Sequence, residues 1–207
     1  MYKRQAFYIV DVEGHGTASA MTSFAIHSQL NPKSDGMCKR NLNKFDKHED
    51  AVCATVNELN STFYNPDSKN KYFTMIYGLM DIAKGSITWC QAGHPALTLC
   101  TKNEAIELGN GGFPVGVLSD PGFEASHHSI EPGDRLVVYS DGITECHNEA
   151  KGFFGKDQLI EILLKNRQTA PENTILSVKD ALLNWNGSED FTDDVTLLLI
   201  DYTTPLV

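Results

Sequence analysis

The chain has 207 residues, 41% of them hydrophobic, and a formal charge of −10 from 27 acidic and 17 basic side chains. That much apolar material supplies the core of one domain, or of a domain with a small appendage, and excludes disorder as the main state. A surface this acidic repels phosphates, which disfavours nonspecific binding to nucleic acid or anionic lipid.

No run approaches the roughly 20 apolar residues that cross a bilayer, and the polar Met1 to Gln5 does not open an export signal. The five cysteines, Cys38, Cys53, Cys90, Cys100 and Cys146, are odd in number and never form a CxxC pair. They read as reduced, mostly buried residues of a cytoplasmic protein rather than a zinc or disulfide framework.

In chain order, the apolar run Ala6–Asp11 reads as a buried central strand. Gly14-His-Gly16 turns the chain into a helix from Thr17 to about Leu30, with Ala20, Phe24 and Ile26 among its apolar positions. Asn31 to Lys47, polar and carrying Pro32 and Gly36, reads as a loop. Val52, Val56, Leu59 and Phe63 fall at helical spacing and predict a helix from Asp50 or Ala51 to Phe63. Strands follow at 72–81 and 86–91 around a hairpin turn, then at 96–101 and 104–108. Two more, 123–130 and 135–140, are separated by the turn sequence Glu131-Pro-Gly-Asp134. Helices return at 156–165 and at 171–185, where Pro171 suits a first turn, and a strand at 195–201 closes the chain. Strands in one block with helices on both sides predict an α+β fold, with antiparallel sheets covered by helices.

Three carboxylates share one setting. Asp11 ends an apolar strand, Asp141 follows Leu136-Val-Val-Tyr139 and precedes Gly142, and Asp193 stands beside Asp194 before the final strand. Each lies where a rigid strand meets a loop. Carboxylates converging from strand ends repel one another unless cations neutralise them, and oxygen donors without a His or Cys cluster select Mg²⁺ or Mn²⁺ over zinc. The alternative reading stays open for each singly: Asp-Gly is first a turn or cap signal, and Asp193-Asp194 can cap a strand in solvent.

Together the motifs resemble a known family. Asp11-Val-Glu-Gly-His-Gly16, Ala92-Gly-His-Pro95, Gly112-Phe-Pro-Val-Gly116, Pro132-Gly-Asp134, Tyr139-Ser-Asp-Gly-Ile-Thr-Glu145 and Asp193-Asp-Val-Thr196 stand in one order. That order is similar to the bacterial branch of the metal-dependent protein phosphatases, the phosphatase 2C-like domains typified by sporulation protein IIE. The resemblance implies an antiparallel β-sandwich flanked by helices and a two-metal site for Mn²⁺ or Mg²⁺. It implies that Asp11 bridges both metals, that the Val12 carbonyl helps bind one, and that Asp141 and Asp193 complete the other shell, with Asp194 a doubtful ligand. Water activated by the metals is the family's nucleophile, so no catalytic serine or cysteine is expected.

The family pattern also has an upstream strand with an acidic motif, Gly-Gly-Asp then Asp after two residues, which this sequence does not contain. The expectation is therefore that residues 1–5 are junction residues and that 6–207 is a phosphatase domain lacking its first strand. The second metal is then short of a carboxylate, and the isolated chain weak or inactive.

The remaining motifs have two readings each. His94 either contacts phosphate or the metal loop, or is a turn residue bonded to the backbone; His15 either lies near the metals or faces solvent. His127 and His128 alternate across a strand and do not chelate one ion together. Glu145 and His147 are expected to make local hydrogen bonds, and Phe153-Phe154-Gly155 to pack the following helix. Gly109-Asn-Gly-Gly112 lacks the Lys and helix of a P-loop. The resemblance implies a serine/threonine phosphatase in bacterial signalling. Its partners would be a phosphorylated regulatory protein, such as an antagonist of an anti-sigma factor, and an upstream receiver or sensor domain. The alternative is a non-catalytic adaptor of the same fold, and a small-molecule phosphohydrolase is the third class.

Overall fold

The computed structural model describes residues 4–31, 36–67 and 72–203; of the junction expected at residues 1–5, Met1 to Lys3 lie outside them, and Arg4 and Gln5 open the first strand. The chain folds as two compact units, Met1–His94 with Gly109–Ile130, and Pro95–Leu108 with Glu131–Val207.

The first unit is built on a four-stranded antiparallel sheet in the order β1-β2-β3-β6. Its strands are β1 (Arg4–Val12), β2 (Phe73–Asp81), β3 (Ser86–Ala92) and β6 (Ala125–Ser129). Antiparallel pairing places residues that face each other across a ladder on the same side of the sheet. Phe7, Ile9 and Asp11 oppose Gly78, Ile76 and Thr74, so these six share one face. The other face carries Tyr8, Val10, Met75, Tyr77 and Leu79. It packs with Val52, Val56 and Leu59 of helix α3 (His48–Phe63) into one apolar cluster, each fully buried side chain contributing roughly 1.5–3 kcal/mol. Gly78 is required by packing: a Cβ there would lie 2.3 Å from the Phe7 ring.

Two expectations are corrected in this unit. The strand expected to be central is, among the described residues, the edge of its sheet, paired with β2 alone. Its apolar run reflects burial on both faces near Phe7 and Ile9, not neighbours on both sides. The expected loop 31–47 contains helix α2 (Met37–Lys44). It is short and polar on average, but it buries Met37, Cys38 and Asn41 against α3, where Asn41 donates to Thr55 Oγ1 at 3.2 Å and Arg40 pairs with Glu58. Residues 32–35 of that loop lie outside the described residues. Helix α1 runs from Thr17 to Leu30 as expected, yet it buries only Ile26 and Leu30 and leaves Phe24 exposed.

The second unit has a four-stranded antiparallel sheet in the order β10-β7-β4-β5. The strands are β4 (Leu97–Cys100), β5 (Ala105–Leu108), β7 (Arg135–Tyr139) and β10 (Leu197–Asp201). Helix α4 (Asp141–Thr144) and the two-residue strands β8 (His147–Asn148) and β9 (Gly152–Phe153) follow β7, then α5 (Lys156–Lys165) and α6 (Pro171–Asn186). Val137, Tyr139, Ile143, Phe154, Leu159, Leu163, Val178 and Leu182 form its core. The turn at 131–134 forms as the sequence predicts, with Asp134 N donating to Glu131 O and Asp134 Oδ2 accepting from Glu131 N, but β6 and β7 belong to different sheets. Arg135 is 3% exposed. It donates to both oxygens of Asp201, at 2.5 and 2.9 Å, and to Thr174 Oγ1 and the Thr169 carbonyl. Asp201 thereby holds the guanidinium firmly protonated.

The α+β class with antiparallel sheets and flanking helices is as expected. Among the described residues no helix is long and apolar enough to cross a membrane, and four of the five cysteines are buried and all are unbridged.

Candidate functional site

Asp11 is the penultimate residue of β1, half-buried, with Thr74 directly across the ladder. His94 is 3% exposed, and its Nδ1 lies 2.8 Å from Thr74 Oγ1. The histidine, in the bend after β3, therefore buttresses Thr74, the residue across the ladder from Asp11. After Val12 the chain leaves the sheet. Gly14 and Gly16 take positive φ of 83° and 87°, Ser19 Oγ donates to the Glu13 carbonyl at 3.2 Å, and His15 is exposed.

The two glycine–proline motifs turn out to be scaffold. Gln91 donates through Nε2 to the His94 carbonyl at 2.6 Å and accepts through Oε1 from Gly111 N at 2.9 Å. A Cβ on Gly93 would strike Pro114 at 2.7 Å, and one on Gly112 would strike the Gln91 carbonyl at 2.6 Å. Val115 pairs with Phe73 in both directions, and Asn60 accepts from Gly116 N at 2.8 Å. No helix follows Gly109–Gly112, in keeping with the exclusion of a P-loop. His127 opposes Thr88 and His128 opposes Ile87, so the pair does face opposite ways.

Within the second unit, Gly142, the residue after Asp141, lies against the Asp193–Asp194 segment. Asp141 opens α4 directly after β7, and its Oδ1 is buried with no hydrogen-bond partner among the described residues. A Cβ on Gly142 would lie 2.5 Å from the Asp194 carbonyl oxygen and 3.5 Å from Asp193 Cβ. Only glycine lets the two segments approach this closely. Ser140 clamps them: its Oγ donates to the Asp194 carbonyl at 2.8 Å and accepts from Thr196 N at 2.9 Å, while its own N–H donates to the Thr196 carbonyl. Asp193 Oδ1 accepts from Asp194 N at 2.8 Å, which orients the exposed carboxylate. Sequence reasoning missed Ser140 and Thr74 as positioning residues; the signal for Ser140 was its place between the strand and the Asp-Gly pair.

A buried carboxylate oxygen with no donor is costly unless something cationic supplies one. The chemistry of this donor set, oxygen without nitrogen or sulfur, fits a hard divalent cation. Among the described residues no group of three or more His, Cys, Asp and Glu side chains stands ready to hold an ion; Asp11 belongs to the other unit.

Glu145 makes the expected local hydrogen bond through its backbone N–H, which donates to the Asp141 carbonyl at 2.7 Å, while no side-chain hydrogen bond of Glu145 or His147 forms among the described residues. Both are exposed, and among the described residues the one side-chain contact of His147 is an edge-on packing with the Phe153 ring at 5.2 Å. The Phe153-Phe154 expectation holds for one residue only. Phe154 is buried against Trp185, whereas Phe153 is 63% exposed.

With this geometry in place, comparison with known proteins gives the class. The chain belongs to the Stage II sporulation protein E (SpoIIE) family, whose model matches residues 2–203. It is 30% identical over 205 residues to the phosphoserine phosphatase RsbP of Bacillus subtilis, covering 96% of this chain and 46% of RsbP. The chain thus spans less than half the length of the curated relatives it matches. The phosphatase 2C domain of SpoIIE from Bacillus subtilis superposes with a TM-score of 0.76 at 16% identity, covering 96% of this chain and 54% of that one. RsbX in complex with magnesium superposes with a TM-score of 0.64, also at 16% identity, covering 95% and 80%. The fold is that of the phosphatase 2C class.

Proposed function

We propose that the chain is a metal-dependent serine/threonine protein phosphatase in bacterial signalling. Its substrate would be a phosphorylated regulatory protein, such as an anti-sigma-factor antagonist. The observation that carries this reading is the buried, donorless Oδ1 of Asp141, set against the Asp193–Asp194 segment by Gly142 and Ser140. The relationship to phosphoserine phosphatases and to a magnesium-bound relative supports it.

Asp11, the Val12 carbonyl, Asp141 and Asp193 are the proposed metal ligands. A bound Mn²⁺ or Mg²⁺ would polarise the phosphoryl oxygens and make water acidic enough to attack at neutral pH. The chain's own residues keep the geometry fixed. Ser140 Oγ–H donates to the Asp194 carbonyl and fixes that segment beside Gly142. The Asp194 N–H holds one oxygen of Asp193 and leaves the other to the site, and Thr74 with His94 stiffens the strand beside Asp11. Cys146, the cysteine nearest in sequence to Asp141, is buried, and burial raises its thiol pKa, which suits a core residue rather than a nucleophile.

The test is Mn²⁺-dependent release of inorganic phosphate from a phosphoserine protein. Asp141→Asn is expected to lower the rate roughly a hundredfold, since a ligated metal contributes several kcal/mol to such a reaction. An unchanged rate would show the mechanism to be wrong. Mn²⁺ binding with no phosphate release from any phosphoprotein would favour the adaptor.

A further inference from the structure

A concavity of about 260 Å³ opens beside Asp193, with Glu145, His147, Phe153 and Phe191 in its walls and Cys146 among its lining. Ligand pockets for whole small molecules run to about 300–1,000 Å³, so this one suits a single side chain. Its walls are fixed. The β8–β9 hairpin is tied to α6 by Trp185 Nε1–H donating to the Gly152 carbonyl at 3.1 Å and by Asn148 Nδ2 donating to the Trp185 carbonyl at 2.7 Å. Phe154 N donates to the Cys146 carbonyl and anchors the turn from below.

What the hairpin presents is unusual for a stable scaffold. Phe153 is 63% exposed while its neighbour Phe154 is 3% exposed. The Glu145 carboxylate has no hydrogen bond or ion pair among the described residues. An aromatic face and a carboxylate at one small cavity together attract a cation, the ring through its quadrupole and the acid by charge. Arginine satisfies both better than lysine, because its planar group stacks and forks at once. Glu145 is the anion at hand, since Asp193 is assigned to the metal.

We propose that this cavity is a specificity subsite that receives an arginine or lysine side chain of the substrate protein next to the phosphoserine. The proposal rests on the phosphatase reading above. It assigns Glu145 and Phe153 a recognition role and His147 the task of holding the Phe153 ring.

The test uses two fluorescent peptides that differ only in carrying Arg or Glu beside a phosphonate analogue of phosphoserine, which cannot be hydrolysed. Anisotropy titrations in Mn²⁺ give the ratio of their Kd values. An exposed ion pair with a cation–π contact predicts about a tenfold preference for the Arg peptide, equivalent to about 1.4 kcal/mol. Glu145→Lys should abolish or invert the ratio, and Phe153→Ala should reduce it about threefold. Equal affinity of the wild-type protein for both peptides, or a ratio unchanged in Glu145→Lys, overturns the subsite. Phosphate release from the matching phosphoserine peptides is followed in parallel. Preference without release supports the subsite and sinks the phosphatase reading, whereas release without preference does the reverse.

Discussion

Replacing Gly142 by alanine sets two effects against each other. Gly142 lies in α4 with ordinary helical φ, so helix propensity alone favours alanine by about 1 kcal/mol. Against this, the added Cβ would stand 2.5 Å from the Asp194 carbonyl oxygen, where ordinary contact begins at 3.4 Å. The Asp193–Asp194 segment must therefore retreat by about 0.9 Å. It is not free to do so, because Ser140 bonds both the Asp194 carbonyl and Thr196 N. Overpacking of this kind costs about 1–3 kcal/mol, and the propensity term is weak in a helix of four residues, so the clash wins. At about 2–4 °C per kcal/mol for a chain of this size, Gly142→Ala should lower Tm by about 2–12 °C. Displacing a ligand by nearly 1 Å should also cost about a hundredfold in turnover. Thermal unfolding and phosphate release read the two effects. A variant as stable and as active as the parent would refute the close approach of the two segments.

Ser140→Ala removes one donor and one acceptor from the same clamp and should destabilise by about 1–3 kcal/mol, read by urea unfolding, with weaker Mn²⁺ binding by calorimetry. At the Arg135–Asp201 pair the two single changes should differ. Asp201→Ala strands a guanidinium whose side chain is 4% exposed and should cost about 3 kcal/mol or more, while Arg135→Met strands a carboxylate that is 31% exposed and can hydrate, at a smaller cost. Equal losses in urea unfolding would contradict this. Burial raises the Cys90 thiol pKa to about 12 and that of Cys100 to about 11. The reactive thiolate appears only as pH rises through the pKa, so both should resist iodoacetamide at pH 8 in the native protein and react on unfolding, as mass spectrometry would show.

The strands and the long helices were legible because their periodicity is strong: α1 and α5 fall where the pattern puts them, and β2, β3, β4 and β5 within a residue or two of it. Helix α2 was not, since its eight residues carry mostly polar side chains and its stability comes from packing Met37 and Cys38 on α3, a tertiary effect. The edge position of β1 was hidden for a related reason: burial on both faces, of Phe7 and Ile9 on one and of Tyr8 and Val10 in part on the other, looks the same in sequence whether a strand has one partner or two. At the candidate site, the place of Asp141 directly after a strand was readable, while the final strand begins only at Leu197, four residues beyond Asp193. The roles of Ser140, Thr74 and His94 were not readable, because each depends on a partner far along the chain. Phe153 and Phe154 read as one core dipeptide, but β9 ends at Phe153, and only Phe154 turns in to pack on Trp185.

Asp141 is proposed to help hold a catalytic divalent cation. The most direct test is Mn²⁺ titration calorimetry of the native chain and Asp141→Asn, with phosphate release from a phosphoserine protein measured on the same samples. Saturable Mn²⁺ binding and metal-dependent release are expected in the parent, with both sharply reduced in the variant at unchanged Tm in the absence of metal. Equal Mn²⁺ affinity and equal phosphate release in the two proteins would contradict it.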